Sequence, residues 1–287
     1  MLKAQALARK VVRSVCPLVY RELARDRQRK KLESLLRSDD VMFVGHPKSG
    51  NTWLAYMLAV LKNADTPRVV TTANVGDFIP IIHANDVRIA EYPDLPAPRI
   101  FRNEGPQFPE SYPRTLYIVR DPRAVLVSYY HHCKHDTREA DWQLDEFVGE
   151  MLEHGCIRRL EPHLLRWDRQ VLAWHKRQQS QKVHIVRYED LKADCFGELG
   201  KVAEFIGLRT DPAALEIAVA RGSFSSMRNQ EKIYGAESFP GEKGNRGFFM
   251  RKGEVEGWRD ELSDRNLATI ETAFSQAMRV MGYEPAS

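Results

Sequence analysis

Cysteine is scarce and unpaired in this sequence. The four present, Cys16, Cys133, Cys156 and Cys195, lie far apart, and no two stand as C-x-x-C. That spacing argues against a disulfide framework or a zinc ribbon and for a reducing compartment, so a cytoplasmic setting is expected. Long apolar runs are missing too: none approaches the roughly 20 residues that a membrane span needs. Internal repeats and low-complexity tracts are absent. What is there is enough chain for a sizeable core. With 287 residues, 43% hydrophobic and 29% charged, it can form one large α/β domain or two ordinary ones.

Charge is unevenly spread. Residues 1–37 hold eleven Lys/Arg and three Asp/Glu, so the overall +4 leaves the remaining 250 residues at −4. Arg9, Lys10 and Arg13 break up any secretory h-region. Leu7, Val11, Val15 and Leu18 fall on one helical stripe, away from Lys3, Lys10 and Arg13. The expectation is an arm over 1–37, a helix packed on the body followed by a solvated basic segment "RDRQRKK", ahead of one domain over 38–287. The alternative is a surface helix that makes peripheral contact with anionic lipid or an anionic glycan.

Strand and helix patterns alternate along the domain. "VMFVG", "RIFRNE", "TLYIVR" and "VHIVRYE" read as strands. "TWLAYMLAVLK", "PRAVLVSYYHHCKH", "LDEFVGEMLEHG", "HLLRWDRQVLAWHKRQ", "CFGELGKVAEFIGL", "PAALEIAVARG" and a segment of "DRNLATIETAFSQAMRVMGY" read as helices. The order implies an α/β fold with a central, mostly parallel sheet covered on both faces. Ligands of such sheets sit beyond the carboxyl ends of the strands. Four segments fall there: the loop after Val44, Asn103–Glu104, Arg120–Asp121, and the region after Arg187. Residues 66–98 and 222–257 read as irregular.

The first of those loops, "GHPKSGNTW", sits between a strand and a helix. Its backbone N–H groups and the helix N-terminus favour an anion. Gly45, Gly50 and Thr52 fit the nucleotide-triphosphate loop G-x-x-x-x-G-K-[ST], but the lysine slot holds Asn51, and the loop's one lysine, Lys48, comes three residues early. Asp121 could serve a triphosphate enzyme as its metal aspartate. Arg120 stands directly before it, though, and opposes Mg²⁺; it suits a second phosphate monoester, held bidentately. A metal-free donor with two separated anionic ends is therefore expected.

"HPKSGNTW" resembles the "YPKSGTTW" loop of the cytosolic sulfotransferases. "YIVRDPRAVLVSYYH" resembles their "RNPKDVAVSYYH" motif, and "FMRKGEVEGW" their C-terminal "RKGxxGDW". The three motifs occur in the family's order across residues 45–258. The resemblance implies the family's P-loop-like three-layer fold. It also implies an enzyme that moves a sulfuryl group from 3′-phosphoadenosine 5′-phosphosulfate (PAPS) to a hydroxyl or amine, by in-line transfer with no metal. Lys48 would then stabilise charge on the bridging oxygen. Ser49, Gly50, Asn51 and Thr52 would cradle the 5′-phosphate, with Trp53 near the adenine. Arg120 and Ser128 would bind the 3′-phosphate; Tyr188, Phe224 and Met227 fall at adenine-side positions. Arg251, Lys252 and Gly253 would close over the 3′-phosphate.

The chain departs from the family at the general base. The cytosolic enzymes carry "KTHLP"; the corresponding segment here is "RNEGP", which puts Arg102 for lysine and Glu104 for histidine. A glutamate serves as base if partial burial raises its pKa from about 4.3 toward neutrality, so Glu104 is assigned as base. His83, His131 and Glu189 are the alternatives, and a salt bridge of Glu104 to Arg102 or Lys48 is the purely structural one. His131 and His135 stand i, i+4 in "HHCKH" but lack a second ligand pair; they read as polar residues at the mouth of the site. The acceptor, a small molecule, lipid or glycan, is expected to meet "NVGDFIPIIH", with Phe78 and His83, and also His131. No nucleic-acid partner is expected. "RDELSDRNLA" does not match the family's "KxxxTVxxxE" dimer motif, which puts the usual dimer in doubt. Two other readings stay open: a P-loop kinase or NTPase, and an inactive binding protein on the same fold.

Overall fold

The computed structural model describes residues 17–82, 85–134, 142–155, 164–180, 182–236 and 251–286. Four short segments make its sheet: β1 (Val41–Gly45), β2 (Ile100–Asn103), β3 (Arg114–Val119) and β4 (Val183–Arg187), in the order β2-β1-β3-β4. Every pairing is parallel. Val44 lies level with Asn103 on one side and with Tyr117 on the other, so three neighbouring strands end at nearly the same height.

Helices cover both faces because successive strand residues point to opposite sides. Val41 and Phe43 on β1 pack into one cluster, with Leu54 and Met57 of α2 (Asn51–Lys62), Leu199 and Val202 of α7 (Cys195–Ile206), and Leu215 of α8 (Pro212–Gly222). Met42 and Val44 join the other. There they meet Leu126 and Tyr129 of α3 (Pro122–Lys134), Phe147 of α4 (Leu144–His154), Trp174 of α5 (Trp167–Gln178) and Phe274 of α10 (Asp264–Val280). All five residues of β1 are buried, as a parallel strand between two helical layers requires. Between these, α6 (Tyr188–Ala193) follows β4 directly and α9 (Phe224–Tyr234) follows α8. The α/β, three-layer expectation stands.

Two local expectations are corrected. "RDRQRKK" is not a segment after a helix but the middle of one, α1 (Pro17–Leu35). Its Arg, Lys and Gln are good helix formers, and Asp26 pairs with Arg29 and Lys30 one turn on. Leu32 anchors α1 in the core, and Arg99 links it to the sheet by donating to Leu35 O (3.0 Å) and pairing with the buried Asp40 (2.6 Å). Leu7, Val11 and Val15, and the side chain of Leu18, lie outside the described residues. The second correction is in 222–257, where α9 occupies residues read as irregular; Ser223 caps it by accepting from Ser226 N. Among the described residues, the 66–98 stretch holds only short 3₁₀ helices, at Val75–Asp77 and Asp86–Glu91. Part of it lies along the outer edge of β2, where Arg102 N donates to Pro80 O (2.8 Å) and Ile82 N to Arg102 O (3.0 Å).

Candidate active site

The loop between β1 and α2 turns on two left-handed residues, Lys48 (φ 69°) and Gly50 (φ 102°). Gly50 has a second reason to be glycine: a Cβ there would come within 2.8 Å of the Tyr188 ring. The buried Ser49 Oγ has no hydrogen-bond partner among the described residues, and neither has Arg120 Nε. Orphaned polar atoms are uncommon in a folded core. Two donors of this kind, one in the loop and one at the end of β3, fit a site whose ligand is an anion.

Arg120 lies across the loop. It donates to Lys48 O (3.3 Å) and to Glu254 O (2.9 Å), and its guanidinium sits 4.2 Å over the Tyr188 ring. Tyr188 meets Trp53 edge-on at 5.4 Å, and Trp53 donates its indole N–H to Gly222 O (2.7 Å). Tyr188 OH reaches Gly253 O at 3.5 Å. Phe224 lies against Gly253, which is also left-handed. The structure thus gathers Trp53, Arg120, Tyr188, Phe224 and Gly253 beside the loop, from positions up to 200 residues apart. Met227 is buried in the core, and Ser128 is half-buried on α3.

Arg251 and Lys252 converge on a residue absent from the sequence reading. Glu261 Oε1 accepts from Arg251 (2.7 Å) and Lys252 (3.2 Å), and Oε2 from His131. Burial pushes the Glu261 carboxyl up, but these bonds outweigh it and hold the pKa at about 2. His131 therefore stands with the C-terminal motif, held by Glu261. His83 and His135 lie outside the described residues. Asp121 is fully occupied: Arg123 chelates it (2.9 and 2.6 Å) and continues to Glu271 (2.6 Å). Locked that way, Asp121 is a poor metal aspartate, which removes support from the triphosphate reading.

Glu104 follows β2, on the turn level with the loop. Its side chain is partly buried and takes a hydrogen bond on Oε1 from Asn51 Nδ2 (3.0 Å). Its backbone O accepts from Gln170 Nε2 (2.9 Å). Burial raises its pKa above the ordinary 4.5, against the Asn51 bond and the charges of Arg102 and Lys48. Arg102 is buried, with Nε donating to Ile79 O (2.9 Å). The turn is built from behind by Asp86, which accepts from Asn103 Nδ2 (2.5 Å) and Phe108 N (2.9 Å), while Gly105 N donates to Asn103 Oδ1 (3.1 Å). Sequence reasoning missed Asp86, Gln170 and Glu261. Only Asn103, an Asn entering a turn, left a readable signal. Glu189 is engaged at both oxygens, by Asp121 N (3.0 Å) and Tyr283 OH (2.8 Å), which favours Glu104 over it as a base. Phe78 is a core residue with Arg68 over its ring at 4.6 Å, just before the segment that lines β2. Among the described residues no cluster of three His, Cys, Asp or Glu could hold a metal ion.

A profile described as Sulfotransferase domain matches residues 38–282. The chain is similar to the 3-beta-hydroxysteroid sulfotransferase of Cavia porcellus (26% identical; 88% of this chain, 87% of that one) and the amine sulfotransferase of Oryctolagus cuniculus (23%; 85% and 82%). Among solved structures it resembles the mouse sulfotransferase SULT7A1 complexed with PAP (TM-score 0.65, 20% identical; 89% and 93% covered). It also resembles retinol dehydratase in complex with androsterone and the inactive cofactor PAP (TM-score 0.67, 16%; 87% and 83%).

Proposed function

Since the chain belongs to the Sulfotransferase domain family, we propose that it moves a sulfuryl group from PAPS to a hydroxyl or amine of a small-molecule acceptor, with Glu104 as general base. One observation carries this reading. Lys48, Glu104 and Arg120 leave three adjacent strands at one end of the sheet, and Asn51 bonds Glu104 to the anion loop.

The donor, as co-substrate, supplies an activated sulfuryl group at the tip of its 5′-phosphate and carries a second phosphate at the 3′ position. Ser49 Oγ, the loop N–H groups and the N-terminus of α2 hold the 5′-phosphate; Thr52 adds a hydroxyl beside them. Arg120, with Arg251, Lys252 and Ser128, takes the 3′-phosphate. Trp53, Tyr188, Phe224 and Met227 form the adenine side. Glu104 takes the acceptor's proton as the acceptor oxygen bonds to sulfur. The S–O bond to the 5′-phosphate breaks and leaves its electron pair there, where the ammonium of Lys48 opposes the new charge. Arg102 backs the base with positive charge. Fixed charges aimed at developing charge need no reorganisation during transfer.

Phe78 and the Ile79–Ile82 segment beside β2 form one wall of the acceptor site. Two of the relatives are named for amines and 3-beta-hydroxysteroids. An acceptor of that size and mixed polarity suits a wall of this kind.

The test is Glu104→Gln. Turnover of ³⁵S-labelled donor is expected to vanish, while adenosine 3′,5′-bisphosphate binds by calorimetry within a few-fold of wild type. Undiminished turnover would remove Glu104 as the base.

A further inference from the structure

Asn51 occupies the position where the nucleotide-triphosphate loop keeps its lysine and the sulfotransferase motif a threonine. The fold gives it three acceptors on one nitrogen. Nδ2 lies 3.0 Å from Glu104 Oε1, 3.2 Å from His46 O and 3.4 Å from Gly45 O. An amide nitrogen carries two hydrogens, so one serves the carboxylate and the other is shared by the loop carbonyls. Rotating the amide by half a turn would set Oδ1 against two carbonyls and a carboxylate, all acceptors. The orientation is therefore fixed. Its cost is visible: among the described residues Oδ1 is buried without a partner, and it faces Gly45, where a Cβ would approach it to 2.2 Å.

From this geometry we propose that Asn51 is the positioning residue of the base: it holds Glu104 ionised and aimed, and ties that state to the shape of the donor loop. This rests on Glu104 being the base. A donor that cannot turn into an acceptor favours the carboxylate over the carboxylic acid. With Oε1 held by Asn51, proton uptake falls to Oε2. The charged groups acting on Glu104 are Arg102 from β2 and Lys48 from the loop; both favour its ionised form, against burial. Asn51 bonds the carboxylate and the loop backbone with the same nitrogen, through Gly45 and His46. Rearrangement of the loop around a bound anion therefore reaches the base through the Asn51 hydrogen bond, alongside the charge of Lys48.

The loss of Asn51's bond should leave donor binding largely intact, because its backbone N–H stays in the loop. It should raise the pKa of Glu104. The acidic limb of log kcat against pH is then expected to move up by about one pH unit or more in Asn51→Ala. The shift should be larger in Asn51→Asp, which keeps the shape but sets a second carboxylate beside the first. Affinity for adenosine 3′,5′-bisphosphate and the melting temperature serve as controls for folding. If Asn51→Ala does not fold, Asn51→Leu fills the space without a donor and gives the same readout. A limb that stays in place while Glu104→Gln is inactive overturns the Asn51 assignment alone. An active Glu104→Gln overturns the base, and this inference with it.

Discussion

Lys48 commits both backbone and side chain to one loop. Its φ of 69° is unusual for a residue with a side chain and costs roughly 1–2 kcal/mol. The left-handed turn at Lys48 and Gly50 leads the loop directly into α2. Lys48→Ala and Lys48→Gly are both expected to lower kcat by about 10²–10³. The glycine variant should melt no lower than the alanine one, since it alone relieves the backbone. Measuring kcat and thermal melting on both separates charge from strain. At this scale the sequence was legible wherever residues lie within one motif: the loop with Lys48, Ser49 and Gly50 follows β1, and Arg120 follows β3, as the strand patterns predict. It was silent where a side chain's role depends on a partner far along the chain. Gln170 meets Glu104 across 66 residues and Asn51 meets it across 53, and no local pattern encodes either contact.

Elements carry these residues by virtue of register and bracing. β2 is only four residues long, yet it must present Glu104 at a fixed height. It is clamped by β1 on one side and by the Pro80–Ile82 segment on the other. Behind the turn stands α1, where Arg25 donates to Gln107 O (3.4 Å) and Ser111 Oγ to Glu33 (2.9 Å). Leu32, wholly buried, is its main apolar anchor. Leu32→Ala is expected to cost about 2–5 kcal/mol, lowering the melting temperature by roughly 2–4 °C per kcal/mol. Scanning calorimetry checks it. Strand and helix positions were readable because apolar periodicity fixes them. The helical nature of "RDRQRKK" was not, because a helix with few apolar residues gives no stripe to follow; α9 hid the same way, with Met227 its one buried residue.

For the whole molecule, acid stability follows from His46 at the root of the loop. It is buried, Nε2 has no partner among the described residues, and burial lowers its pKa from 6.5 to about 4. In the unfolded chain the imidazole takes up a proton near 6.5; in the folded one it resists until about 4. Stability from this source is thus whole above about pH 6.5 and declines as pH falls, by at most about 1.4 kcal/mol per unit. The total loss by pH 4 comes to ~3 kcal/mol. Urea melts at pH 7, 5.5 and 4.5 should show this slope, and His46→Tyr, with the family's residue, should flatten it.

The sheet order also bears on how the chain emerges during synthesis. β1 comes first of the four but ends up inside, flanked by strands made about 60 and 75 residues later, and β4 closes β3 only near residue 187. A nascent chain paused before that point would carry unsatisfied, strongly apolar strand edges, the form of polypeptide that chaperones bind and that self-associates. The arrangement that brings Lys48, Glu104 and Arg120 to one rim therefore makes the half-made protein dependent on prompt completion.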